Sequence, residues 1–110
     1  YSTSQVSFTL EQTTGVTLTG QVRRGFNEWW EITKYGGDTN IAVGRSSTLI
    51  KVMYVNQCIQ TPSTAESFER TEKLVLEAGT YWLSASFPLG LGPQNGAFLK
   101  HGTTVAMVKY

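Results

Sequence analysis

Catalysis by side chains requires acids, bases, nucleophiles or metal ligands held close together, and this 110-residue chain carries few of them. His101 is its one histidine and Cys58 its one cysteine, so no paired His or Cys can frame a metal site. A nucleophilic triad would have to be assembled from Cys58, His101 and Asp38, which stand far apart with no recognisable nucleophile motif around any of them. His101, beside Gly102, reads as a turn residue and Cys58 as a small buried apolar side chain. Among the carboxylates, Glu28 and Glu31 fall on opposite faces of a strand, while Glu69 and Glu72 alternate with Arg70 and Lys73 in the manner of a solvated strand edge. The segment "GLGPQNG" has the glycines of a phosphate loop, but proline interrupts it and no helical pattern follows. These patterns predict binding without turnover, with no catalytic residue, metal or cofactor.

The residues best suited to binding are aromatic. "FNEWWEITKYGG", residues 26–37, sets Trp29 and Trp30 side by side, and neighbours on a strand point to opposite faces. Phe26, Trp30 and Ile32 then share one face, and Asn27, Trp29, Glu31, Thr33 and Tyr35 the other. An aromatic plane matches the apolar face of a pyranose, and Glu or Thr can bond its hydroxyls. Trp29, Glu31, Thr33 and Tyr35 are therefore the candidate saccharide strip, and Trp82, with Ser84 and Ser86 as small polar neighbours, is a further candidate. Packing of this strip against a second sheet or another subunit is the competing reading.

The elements that must position these groups are strands. Val6, Phe8 and Leu10 alternate with Gln5, Ser7, Thr9 and Glu11, and the pattern resumes after "QTTG" at Val16, Leu18 and Val22. A third strand is expected over 26–35. "TNIAVG" follows as a short segment, and "TLIKVMYVNQC" is apolar on both faces, Leu49, Met53 and Val55 against Ile50, Val52 and Tyr54. Such a strand belongs inside a sandwich or under a partner subunit. "TPSTAES" reads as a loop and "SFERTEKLVLEAGTYWLSASF" as a hairpin turning at "EAGT", with Tyr81, Leu83, Ala85 and Phe87 on one face of its second arm and Trp82, Ser84 and Ser86 on the other. "PLGLGPQNG" is irregular, and "AFLK", the "HG" turn and "TTVAMVKY" close the chain as two short strands. The expected core is Phe8, Leu18, Trp30, Ile32, Val52, Tyr54, Leu74, Leu76 and Leu83. The fold class is all-β, a β-sandwich or jelly roll of about eight or nine antiparallel strands, with a small closed barrel as the second choice.

Composition narrows the partners. Nine basic residues against eight acidic leave a formal charge of +1, too balanced for a domain that grips a phosphate backbone, so no nucleic acid is expected. "VRRGF" with the Trp pair keeps a single-stranded nucleic-acid binder as a third reading. No membrane-length apolar run is present and no membrane insertion is expected. Residues 1–110 read as a single domain, and the start at Tyr1 without an initiator Met suggests a processed protein or, more simply, a domain excised from a longer one.

"LVLEAGTYWLSASFPLG" followed by "NGAFLK", residues 74–100, resembles β-sandwich domains of bacteriophage tail fibres and tail spikes, and is similar to trimeric jelly rolls of the tumour-necrosis-factor and C1q kind. The resemblance implies a receptor-binding and structural module of a virion tail, or another extracellular setting, assembling as a homotrimer and touching a surface glycan or other cell-surface receptor. The rival expectation is a monomeric carbohydrate-binding module or adhesin domain of a secreted protein.

Overall fold

A computed structural model describes residues 2–24, 39–55, 66–87 and 96–109. They form eight strands: β1 (Ser2–Leu10), β2 (Thr14–Arg24), β3 (Thr39–Arg45), β4 (Thr48–Val55), β5 (Glu66–Leu76), β6 (Gly79–Phe87), β7 (Gly96–His101) and β8 (Thr103–Lys109). They pair antiparallel in two four-stranded sheets, β1-β6-β3-β4 (sheet A) and β5-β2-β7-β8 (sheet B), so the protein is all-β and sandwich-like. The third strand expected over 26–35, with Trp30 and Ile32 of the expected core, lies outside the described residues.

Alternation decides which side chains enter the space between the sheets. Phe8 and Leu10 on β1, Val16 and Leu18 on β2 and Tyr81, Leu83 and Ala85 on β6 are all buried, as their period-two pattern predicts, and Leu99 on β7 joins them. Leu76 is buried and Leu74 packs half-buried against the cluster. Fully burying a Leu or Ile is worth about 1.5–3 kcal/mol each, and Leu18, Ile41, Met53, Leu83 and Leu99 are each 0% exposed.

Three expectations are corrected. "TNIAVG", expected only as a short segment with no core residue, forms most of β3, a central strand paired with both β6 and β4, and sends Ile41 and Val43 into the core. Second, β4 has the opposite phase to the one expected. Met53 is buried, Val52 is only half-buried and Tyr54 is 51% exposed, because Ile41 opposite Met53 fixes which row faces inward. Its two apolar faces made the phase undecidable locally, and β4 is the edge strand of sheet A rather than an interior one.

Third, "EAGT" is a corner, not a hairpin turn. β5 ends at Leu76 in sheet B and β6 starts at Gly79 in sheet A, so the chain crosses between sheets here. Gly79 supplies φ 155°, and the Tyr81 hydroxyl donates back to the Glu77 carbonyl at 2.6 Å, a tie of the kind that pins sheet-crossing corners in β-sandwiches. The Tyr81 ring stacks on Phe8, centroids 5.5 Å apart, with the Arg45 guanidinium 5.6 Å from its centroid. The same chemistry that makes a hairpin thus closes the end of the sandwich.

The chain runs up and down between two ends. Short turns at 11–13, 46–47, 77–78 and 102 share one end, while the strand ends flanking segments 25–38, 56–65 and 88–95 share the other. Along one flank, edge strands β4 and β5 meet through charge. Lys51 Nζ lies 3.0 Å from Glu72 Oε2, Arg70 Nη2 donates to Glu72 Oε1 at 3.0 Å, and Arg70 Nη1 donates to the edge carbonyl of Tyr54 at 3.2 Å. This covers a carbonyl that an incoming strand would otherwise use. Lys51 holds the Glu72 carboxyl below its usual range, overcoming the opposing effect of burial, and Arg70 adds to it.

Two outcomes follow. Tyr81→Phe should lose about 1 kcal/mol in chemical denaturation with the fold retained, since the ring stack survives and only the corner hydrogen bond is removed. Because the Glu72 pKa is lowered in the folded state, its contribution is complete above the unfolded carboxylate value of about 4.3 and disappears as pH falls through the lower folded value. Melting temperatures of wild type should therefore drop more steeply below about pH 4.3 than those of Glu72→Gln, and parallel acid limbs would show that the flank cluster contributes nothing.

Candidate site on the outer face of sheet A

Of the sequence-predicted site residues, Trp29, Glu31, Thr33 and Tyr35 lie outside the described residues, as do Cys58 and Asp38. Trp82 is described. With Tyr81, Leu83 and Ala85 committed to the core, alternation places Trp82, Ser84 and Ser86 on the outer face of β6, each half-buried.

β6 lies between β1 and β3, so this face extends across the whole sheet in aligned rows. One row reads Ser7, Trp82, Gly44 and Leu49; the next Gln5, Ser84, Ala42 and Val52; the next Thr3, Ser86, Asn40 and Tyr54. The hydroxyls are oriented by one another: Thr3 Oγ1 and Ser86 Oγ are 2.7 Å apart, and Thr9 Oγ1 and Thr80 Oγ1 3.1 Å. Asn40 Oδ1 is enclosed and has no hydrogen-bond partner among the described residues, an unmet acceptor at one border of the face. No charged residue occupies these rows among the described residues.

Trp82 is locked in place. An added Cβ at Gly44 would meet the indole carbons at 2.0, 2.4 and 2.6 Å, so the ring covers the space that any other residue at position 44 would fill. Its Nε1–H donates to the Ser46 carbonyl at 2.8 Å. Ser46 has φ 52°, uncommon for a residue other than glycine, in the two-residue turn joining β3 to β4, so the indole also fixes that turn. With its N–H spent, Trp82 offers a ligand only its apolar surface. Tyr54, expected in the core, instead stands exposed two strands away and four residues along β3, about 16 Å by strand spacing and rise.

The sequence pointed to Trp82, and the serines beside it were visible as its neighbours. Gly44, Asn40 and Tyr54 were missed. Gly44 looks like a turn glycine, and its pairing with Trp82 exists only once β3 is recognised as the neighbour of β6.

His101, the last residue of β7, does border a turn: Gly102 follows with φ 72°, and His101 Nδ1 lies 2.8 Å from the Gly15 carbonyl. Glu69 and Lys73 project from edge strand β5 and are exposed, whereas Glu72 turns across to Lys51. Among the described residues no group of three or more His, Cys, Asp or Glu is placed to hold a metal, and no helix is long and apolar enough to cross a membrane.

No family model matches the chain, and comparison with curated proteins and with solved structures finds no match.

The Trp82–Gly44 contact is open to a direct test. Gly44→Ala should cost about 1–3 kcal/mol by overpacking, and the penalty should shrink markedly when Trp82 is also replaced by Ala, because the collision partner has gone. Additive costs in a double-mutant cycle of denaturation free energies would show that the ring does not rest on Gly44.

Proposed function

We propose that this domain is a non-catalytic, saccharide-binding receptor module whose ligand lies across the outer face of sheet A. The observation that supports this reading is the combination on one face of an indole seated on Gly44 and rows of Ser, Thr, Asn and Gln groups, with no charge among the described positions. A sugar ring presents an apolar face and a polar edge, and a fixed aromatic beside oriented hydroxyls complements both. Small residues at Ala42, Ser84 and Ser86 leave room above the strands between Trp82 and Tyr54. In keeping with the resemblance of residues 74–100, the setting proposed is a phage tail fibre or spike touching a host-surface glycan.

Assembly belongs to the same proposal. Leu49 and Ile50 on edge strand β4 are 55% and 42% exposed, apolar surface that a second and third copy would cover in a homotrimer. Sedimentation at high concentration should give a trimer, and a monomer would favour the carbohydrate-binding module or adhesin reading instead.

Binding is tested on a panel of neutral and acidic oligosaccharides. Wild type should retain at least one neutral glycan; Trp82→Ala should weaken it tenfold or more, and Ser84→Lys, which adds a long charged chain at the centre of the face, should do the same without unfolding the domain. A wild type that binds no neutral glycan, or a Ser84→Lys variant that binds as well as wild type, would overturn the reading. Trp29→Ala in the same assay compares the strip read from the sequence with the face around Trp82: loss there with Trp82→Ala unaffected moves the site to Trp29.

A further inference from the structure

The opposite outer face, on sheet B, carries a glycine that folding does not explain. Glycine weakens a strand interior, and where it occurs it commonly marks a bulge, a bend or the close approach of another molecule. Gly79 and Gly102 have left-handed φ, and Gly44 and Gly96 sit beneath the rings of Trp82 and Phe98. Gly15 has neither reason. It pairs in regular register with Val75, its φ is not in the left-handed region, and a Cβ built on it meets nothing within 4 Å.

What Gly15 does leave is space. An open depression of about 440 Å³ lies over it, lined by Gly15, Val16, Thr17, Lys73, Leu74 and Val75, with mostly apolar walls. Val75, 73% exposed, forms part of its apolar wall. The next row along the sheet is polar and cationic: Thr17 pairs with Lys73 on one side and with Lys100 on the other. Two exposed lysines thus stand on strands roughly 10 Å apart with a threonine between them, Lys73 lining the depression and Lys100 beside it with its Nζ 5.5 Å from the centroid of the Phe98 ring. Neither lysine has a salt-bridge partner among the described residues, so the Lys100 chain can swing from Phe98 to an anion, whereas Lys51 and Arg70 are both engaged by Glu72.

We propose that this depression is a second binding site, for a ring-shaped ligand bearing a carboxylate, of which a uronate sugar is the simplest example. The ring packs on the open floor at Gly15 and against Val75, and its carboxylate lies over Thr17 between Lys73 and Lys100. The apolar body and single anionic group complement the apolar floor and the paired cations beside it. The site is independent of sheet A: it uses other strands and the opposite sign of selectivity, excluding the neutral sugars that the uncharged face accepts.

The test is a calorimetric or NMR titration of the whole domain with tri-galacturonate, and with neutral galactotriose as the control. The expected result is binding of the uronate, weakened by salt, with Lys73→Met and Lys100→Met each reducing affinity about fivefold or more. Gly15→Val should abolish it without lowering the melting temperature, since a Cβ at that position meets nothing within 4 Å and valine suits a strand better than glycine. Absence of uronate binding, galactotriose binding as strong as that of the uronate in the Trp82→Ala variant, or uronate binding that survives Gly15→Val and both lysine changes would each overturn the proposal. Trp82→Ala separates the two sites: it should leave uronate binding intact, and a uronate signal lost with Trp82 but kept in the sheet B variants would assign the ligand to sheet A and reject this site.

Discussion

Burial of one inward row per strand against the facing sheet is the interaction on which the rest of this domain depends, because the chain changes sheet at every connection except β3–β4 and β7–β8. β1 finds its partner in β6, and β2 in β5 and β7, so most ladders join segments far apart in sequence. Such pairings gain nothing until long loops have closed, and what offsets that entropy is the apolar layer of Leu18, Ile41, Met53, Leu83 and Leu99 between the sheets. The corner at Tyr81 and the Lys51–Glu72–Arg70 cluster then fix one end and one flank of a sandwich that burial has already brought together.

How much of this was legible in the sequence depended on whether a strand had one apolar face or two. β6 reads without ambiguity: Tyr81, Leu83 and Ala85 can only face inward when Trp82, Ser84 and Ser86 alternate with them, and the candidate Trp82 followed from that. On β4 the same reasoning failed. Apolar residues at both phases leave the choice to the partner strand, and Ile41, on a segment too short to announce itself as β3, makes it. The corner at "EAGT" failed for a related reason, since a turn signal reports that the chain reverses and not whether it returns to the same sheet. The flank cluster had no local signature at all, because Lys51 and Glu72 lie on different strands of different sheets.

The two outer faces carry different chemistry although the same alternation generates both. Sheet A presents hydroxyls, amides and an indole without charge among its described rows; sheet B presents Glu69 and Lys73 on β5, Lys100 and Phe98 on β7 and Met107 on β8. Charged, mixed residues are the ordinary means of keeping an exposed sheet soluble and unpaired, so sheet B has the expected surface and sheet A departs from it. A face that gives up charge while keeping hydrogen-bonding capacity suits an uncharged, hydroxyl-rich partner.

The two glycines sharpen that contrast, since each stands in a strand, where glycine by itself is unfavourable. At Gly44 the missing side chain is occupied from within, by Trp82, and substitution there forces the ring to move. At Gly15 the missing side chain is occupied by nothing, and the space opens to solvent between Val75 and Thr17. A glycine filled from within is accounted for by the fold. One that leaves an apolar hollow beside Lys73 and Lys100, neither of them ion-paired among the described residues, is what the proposed second site would use: a flat apolar body on the floor and, at the level of Thr17, a negative charge.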